Sequence, residues 1–481
     1  MTDLSIGTVA IVGGGLTAWS AAAAIRRRLP SIDVVIVPAP VSRGALADRI
    51  ISTTPSIRGF HHDIGLTDAD TVTGAASGIR IATLFEGWAA SRPSYVHAYG
   101  AYGAPVGGIA FHQLWLREGH SGSLPPFDHF SPAAELARSG VSPDSGSDSI
   151  QFGLQLTLER YSALIRDYAL HLGVRLHRGS FADVTLRSSD GFVDKLICEG
   201  GGDVSADLFV DCTGPDALLH SRSDPAFVDW SPWLLCDRVV FHNGPPDPTI
   251  VSMDQVTAVP FGWAWAASSQ KVSSHGLSYS SNHARAEDID SQIGGSAAEM
   301  IALRQGRRRD FWVRNCVAIG DASVSVEPLE WTNLHLVHSQ IDRMIDMMPG
   351  RDCAPVELAE FNRQCAAEAD RIRDFICMHY VCSRRSESFW TDAAAVTPPD
   401  SLAHTLALFA ERGRLPFYEE ETFSKDSWLA VLLGQGFEPQ HINPLTDAIS
   451  SDEAMRALTG AAFTSPPASA NQNSLNPRGI R

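Results

Sequence analysis

The chain has 481 residues, of which 44% are hydrophobic and 19% charged, a balance that belongs to folded globular proteins and not to disordered or fibrous ones. Its 38 basic and 55 acidic residues leave a formal charge of −17. So negative a surface repels nucleic acid and anionic membrane faces, and neither is an expected partner. The length suits two or three packed subdomains around a large core.

Two features of composition narrow the chemistry. Lys195, Lys271 and Lys425 are the only lysines, so nearly all positive charge is arginine. The eight cysteines form no C-x-x-C pair and are too sparse for a disulfide scaffold, which implies free thiols in a reducing compartment. The N-terminus shows no basic segment leading into an apolar one, and no 18-residue apolar run occurs. The cytoplasm is therefore the expected location.

In chain order, Thr8–Val12 reads as a buried strand, Leu16 to Leu29 as a small-residue helix stopped by Pro30, and Asp33–Val37 as a second strand. This β-turn-α-β opening predicts a doubly wound α/β domain. Glu118–Pro125 and Ser139–Ser149 read as loops. Thr157–Leu172 has helical spacing; Val174–Leu176, Val184–Leu186, Phe192–Cys198 and Leu208–Val210 suit a small β-meander returning to the parallel sheet. Leu234–Tyr279 predicts a second, largely antiparallel sheet flooring a substrate space. Val317–Ile319 is a further buried strand. In the helix after it, Leu334, Val337, Ile341, Met344 and Met348 share one stripe. From Val356 the chain is mainly helical, with long stretches at Glu357–Cys382 and Ser401–Arg412, and from about Ser465 it reads as a frayed tail.

Gly13-Gly14-Gly15-Leu16-Thr17-Ala18 is a G-x-G-x-x-A between the first strand and helix. Gly13 permits the tight turn, Gly14 lets the backbone approach a pyrophosphate, Ala18 lets helix and strand pack closely, and the helix N-terminus offers N–H groups to phosphates. Gly15 and Thr17 complete the loop. The acid expected after the second strand, which would hold ribose hydroxyls, is replaced by Pro38; Asp48 is the nearest acid beyond it. Asp207–Gly214 and Asn315–Ala322 each end a strand in a small turn. They resemble segments of flavoproteins with the FAD fold of the aromatic hydroxylases. By that resemblance Gly320 and Asp321 contact the ribityl and pyrophosphate region, and the cofactor is FAD rather than NAD.

Further motifs, in order, resemble the flavin-dependent tryptophan-halogenase family from about residue 8 to 460. They are Gly13–Trp19, Phe111-His112-Gln113-Leu114-Trp115, Gly262-Trp263-Ala264-Trp265, Glu327-Pro328-Leu329-Glu330 and Asp426-Ser427-Trp428-Leu429-Ala430. The resemblance implies an α/β FAD domain of the aromatic-hydroxylase type over residues 1–350, with an inserted antiparallel substrate sheet at about 85–120 and 230–285. A helical part over 351–464 and a tail over 465–481 would follow. It also implies reduced FAD supplied by a separate flavin reductase, chloride or bromide as the halide, and hypohalous acid that reaches an electron-rich, indole-like substrate, free or peptide-borne. A homodimer is compatible with the sequence.

By the same resemblance Glu330 is the catalytic glutamate. Arg80, counted back from Trp88, stands where the family has a tunnel lysine, although arginine forms no N-haloamine readily. Trp263, Trp265 and His112 line the substrate side, the two indoles being equally suited to core packing. Trp331-Thr332-Asn333-Leu334 replaces the family's Ser-Thr-Gly-Ile, placing Trp331, Thr332 and Asn333 at the tunnel and Leu334 beside the flavin. Ile51 replaces a flavin-side glutamate, and Ala267-Ser268 an Ile-Pro. Lys271 offers a displaced amine only from a polar loop. No metal-ligand spacing occurs among the histidines and cysteines. Two alternatives stay open: an FAD monooxygenase or oxidase that has lost the halide step, favoured by Trp331 and Asn333, and a non-catalytic FAD-binding homologue.

Overall fold

The computed structural model of the chain describes residues 5–89, 92–119, 124–144, 150–293 and 299–461. The expected tail and parts of the two expected loops lie outside the described residues. The opening strand β1 (Thr8–Val12), helix α1 (Leu16–Arg28) and strand β2 (Asp33–Val37) stand where the pattern of apolar and small residues puts them. Ala21, Ala22, Ala23 and Ala24 are all fully buried, so α1 lies close between the sheet and its neighbouring helices without side-chain bulk.

The first sheet runs in the order Trp312–Val313, Cys316–Ala318, Leu208–Asp211, β1, β2, Arg175–Leu176. All its pairs are parallel except the one between Trp312–Val313 and Cys316–Ala318. Arg175–Leu176 thus belongs to this sheet and not to the meander, which reduces to the hairpin Ser180–Leu186 with Val193–Glu199. The expected strand at Leu208 does return to the parallel sheet, beside β1.

The second sheet has seven strands, in the order Glu299–Ala302, Arg238–Gly244, Ser273–Tyr279, Gly262–Ser268, Met253–Val259, Ala82–Glu86, Ser94–Ala98. Only Met253–Val259 and Ala82–Glu86 pair in parallel. The inserted sheet is therefore present, but its first segment ends at Ala98; Phe111–Gly119, within the expected 85–120 span, is a helix whose buried Phe111, Leu114 and Trp115 follow a 3–4 spacing.

After Asn333–Asp346, which ends before Met348, come helices Pro355–Val381, Ser388–Ala395, Asp400–Arg412, Lys425–Gly434 and Ser451–Ala461. Pro355–Val381 is the long one, and its last turns are buried from Ile372 to Tyr380. That burial carries His379 and Phe375 to the second sheet. No helix among the described residues is long and apolar enough to cross a membrane.

Candidate functional site

The turn after β1 is built for close approach by a ligand backbone. A Cβ on Gly13 would lie 2.9 Å from the Cys212 carbonyl, and one on Gly14 2.8 Å from that of Ala39. Thr17 and Ala18 are buried in the first turn of α1. Gly320, at φ 65, closes the far side: a Cβ there would meet Val337 Cγ2 at 2.7 Å and Thr17 Cγ2 at 3.2 Å. The two glycine segments that lie three hundred residues apart in sequence thus face each other across α1. Asp321 accepts the Ala47 N–H at 3.0 Å, and burial lifts its pKa to about 7. Asp48 reaches the N-terminus of α1 itself: its carboxylate accepts the Leu16 N–H, and the Thr17 hydroxyl lies 3.5 Å away. A carboxyl group therefore already occupies the donor end of this helix, although burial raises its pKa against the N–H groups and Arg49 that favour its charged form.

Glu330 and Trp331 are consecutive left-handed residues, at φ 64 and 63. Side chains rarely adopt that conformation outside glycine, and each such residue costs about 1–3 kcal/mol. The turn swings the Glu330 carboxylate between two imidazoles. His97 Nδ1 lies 2.9 and 3.0 Å from its two oxygens, and His379 Nε2 3.1 Å from Oε1. A carboxylate only accepts, so His97 Nδ1 donates its N–H to it, while His379 Nε2 stands at ion-pair distance without a hydrogen bond. Burial alone would raise this acid, but His97 and His379 outweigh burial and hold it well below the usual carboxylate range. Glu330 is buried and favours its ionised form. Burial keeps His379 below its ordinary value despite the carboxylate beside it. The other nitrogen of His97, Nε2, is buried without a protein partner.

Arg80 is buried to 1% exposure and its guanidinium is fully engaged. Nε is 2.6 Å from Asp254 Oδ2, Nη1 donates to the Thr53 carbonyl at 3.0 Å and to the Tyr99 hydroxyl, and Nη2 donates to the Thr83 hydroxyl. Asp254 is itself held by Gln155 Nε2 at 2.6 Å. Burial lowers the guanidinium's pKa, opposed by Asp254 and Glu330. Arg80 is thus a clamped cation near the Glu330 carboxylate and not a mobile arm. Its guanidinium carbon lies 5.7 Å from the Trp331 ring centre.

Trp263 and Trp265 share one face of their strand, two residues apart, with ring centres 5.5 Å apart. Trp265 meets Trp331 edge-on at 6.3 Å. The Trp263 N–H donates to Glu327 at 2.8 Å, and the Tyr380 hydroxyl donates to the same oxygen at 2.7 Å. The two glutamates of Glu327-Pro328-Leu329-Glu330 are both buried and differ in partners. Glu327 is raised by burial and faces neutral donors; Glu330 is lowered and faces histidines. Beyond Glu330, Trp331 Nε1, Thr332 Oγ1 and Asn333 Oδ1 are buried polar atoms without a protein partner. Unpaired buried polar groups are costly; of these three, the Trp331 N–H and Thr332 hydroxyl are free to donate to a ligand and Asn333 Oδ1 is free to accept. Together with the glycine cradle they fit a flavin.

A cavity of about 150 Å³ opens on the outer side of Arg80 and is walled by Thr54, Tyr99, His335, Phe423, Ser424 and Ser427. Tyr99 ties it to Arg80, and its ring lies 6.3 Å from that of His97. Phe423 stacks on Phe375 at 3.7 Å, and Phe375 touches the rings of His97 and His379. The cavity is one layer of side chains from the carboxylate.

The other expected residues fall elsewhere. His112 is bonded to the Gly413 carbonyl at 2.9 Å, at the end of helix Asp400–Arg412, and none of its hydrogen bonds reaches Glu330 or the tryptophan pair. It acts as a tie between outer helices. Leu334 is a buried residue of the helix stripe. Lys271 lies in the exposed turn between two strands of the second sheet. Four site residues escape sequence reasoning: His97, His379, Asp254 and Tyr99. His97 reads as one inward position of an alternating strand, and His379 as one member of a buried helical stretch. Their meeting at Glu330 is a tertiary event for which spacing holds no signal.

Comparison with known proteins gives the family and the fold. The family model described as tryptophan halogenase matches residues 8–451. The chain is similar to the tryptophan 6-halogenase SttH of Streptomyces toxytricini, at 24% identity over 94% of each chain, and to the tryptophan 7-halogenase RebH of Lentzea aerocolonigenes, at 25% over 95% of this chain and 94% of the other. Among solved structures it is similar to BrvH, a flavin-dependent halogenase from Brevundimonas sp. BAL3, with a TM-score of 0.89 and 32% identity over 96% of each chain.

Two outcomes follow from the buried charges. Asp254→Ala leaves Arg80 buried without its anion and should lower unfolding stability by about 3–5 kcal/mol, most of it regained in Asp254→Leu/Arg80→Met, as read from urea unfolding midpoints. Asp321 binds its proton more tightly folded than unfolded, so the folded apoprotein loses stability as pH rises from about 4 towards 7. Asp321→Asn should therefore melt above the parent at pH 8, by up to about 4 kcal/mol at about 1.4 kcal/mol per pH unit, and equal it near pH 4. A gap independent of pH would contradict this.

Proposed function

As the chain belongs to the tryptophan-halogenase family, we propose that it is an FAD-dependent halogenase acting on a small electron-rich aromatic such as an indole. Enzymes of this family use FAD, with reduced flavin delivered by a separate reductase, and a halide. When bound, reduced flavin together with oxygen would supply the oxidising equivalent that turns halide into an electrophilic halogen donor. The glycine turn after β1, Gly320 and Asp321 would hold it, with Thr332 and Asn333 on its halide side.

The observation that carries the reading is the buried Glu330 carboxylate held by His97 and His379, one layer of side chains from a ring-sized cavity. Attack of an arene on a halogen electrophile places positive charge on the ring. A buried, preorganised anion stabilises that charge more than water does. Its depressed pKa makes Glu330 a weak base, which suffices because a halogenated cationic ring loses its proton readily. The carboxylate, held by the His97 Nδ1–H, is the acceptor for the ring proton once a ring reaches it. Arg80, with every nitrogen engaged, orients Tyr99 and adds a fixed positive field towards a hypohalous acid; it forms no bond to halogen. Trp265 and Trp331, edge-on to each other, would stand on the substrate side of the flavin. A cavity of about 150 Å³ is large enough to take benzene, so one aromatic ring fits beside Tyr99 and Phe423.

With photochemically reduced FAD, oxygen, bromide and indole, the wild type should form brominated indole. Glu330→Gln keeps the shape, removes the anion and should lower that yield at least about a hundredfold, on the scale of one lost electrostatic group, while still oxidising reduced flavin. Equal yields from the two proteins would remove Glu330 from the chemistry.

A further inference from the structure

The flavin cradle contains an acid of its own, Asp48, whose carboxyl already sits on a helix N–H. Asp48 ends the short turn Leu46–Asp48 and places its carboxylate on the Leu16 N–H, at the first turn of α1. Gly15 is what makes room for it: any Cβ there would collide with the Asp48 carboxylate. The turn is tethered one residue earlier, where the Ala47 N–H donates to Asp321 at 3.0 Å. Both acids therefore converge on the part of the fold that receives a pyrophosphate. The helix is 13 residues long, with no acid in its own first turn, so Asp48 is the group that answers its N-terminal dipole.

Resting on the FAD reading above, we infer that Asp48 is a resident competitor for the pyrophosphate of the flavin: it holds the phosphate-binding N–H groups of α1 until the cofactor expels it. Two costs oppose flavin binding as a result. The charge–dipole contact of Asp48 with α1 is broken, and the released carboxylate stays near a doubly charged pyrophosphate. Neither cost destroys the site, since rotation of the Asp48 side chain alone frees the Leu16 N–H while the Ala47 tether to Asp321 holds the turn in place. The consequence is a shortened residence of flavin on the protein. That suits an enzyme that takes reduced FAD from a separate reductase and returns the oxidised form each turnover. The rival role, in which Asp48 holds the ribose hydroxyls in place of the acid missing at Pro38, makes the opposite forecast.

The experiment is titration of the purified apoprotein with FAD, ADP and riboflavin, with FAD dissociation followed by stopped flow. Asn caps a helix as well as Asp, so Asp48→Asn removes charge while keeping the fold; Asp48→Ala is the second variant, and melting temperatures check both. Each variant should bind FAD and ADP about tenfold tighter than wild type, the scale of one helix-terminal charge contact. FAD should leave more slowly, and riboflavin, which lacks the pyrophosphate, should bind as before. Equal or weaker binding of FAD and ADP by the variants would overturn the proposal and leave the FAD reading intact. Failure of wild type and variants alike to bind FAD would overturn both. Loss of the folded state in both variants would make Asp48 a structural cap and overturn the competitor role alone.

Discussion

Two consecutive left-handed residues at Glu330 and Trp331 are the constraint on which the rest of the site depends. A regular turn would send the Glu330 side chain elsewhere; this one drives it between His97, from the edge strand of the second sheet, and His379, from the long C-terminal helix. The strain persists because both ends are fixed. Upstream, Glu327 is locked by Trp263, Tyr380 and Gln305; downstream, Asn333 donates to the Val326 carbonyl and helix Asn333–Asp346 begins. One turn thereby joins the cofactor domain, the inserted sheet and the helical part through a single carboxylate.

Charge is distributed around that carboxylate with little redundancy. Three acids are buried within the same region, and each has a different counterpart: Glu330 has imidazoles, Glu327 has neutral hydroxyl and indole donors, Asp254 has Arg80. The environments separate their proton affinities, which is how neighbouring carboxyl groups take distinct roles. Glu330 alone is pushed towards permanent ionisation. Arg80 is close enough to feel it but is held by Asp254, so the position that the resemblance assigns to a lysine carries a rigid cation.

Much of the scaffold was legible because it depends on local patterns. β1, α1 and β2 declare themselves through a buried run, a glycine turn and small helix residues; the stripe at Leu334, Val337, Ile341 and Met344 declares its helix. Glu330, Trp263 and Trp265 were legible only as parts of motifs that resemble a family. The misplacements have physical causes. Phe111–Gly119 carries both an aromatic-rich strand composition and a helical spacing, and the spacing wins. His112 sits in a family-like motif, yet its helix faces Gly413. Pairings such as His97 with Glu330, Arg80 with Asp254 and Asp48 with the Leu16 N–H join residues from separate elements, and no periodicity encodes them.

The central claim is that this pocket, with arginine in the lysine's place, still directs the oxidising equivalent of flavin and oxygen onto a halide. A single turnover tests it most directly: wild-type protein with one equivalent of reduced FAD is mixed with oxygen and indole across a series of bromide concentrations, and bromoindole, oxygenated indole and hydrogen peroxide are quantified together. The account predicts bromoindole rising with bromide to a plateau, at the expense of peroxide. Oxygenated indole or peroxide in amounts indifferent to bromide would contradict it and identify the protein as a flavin monooxygenase or oxidase.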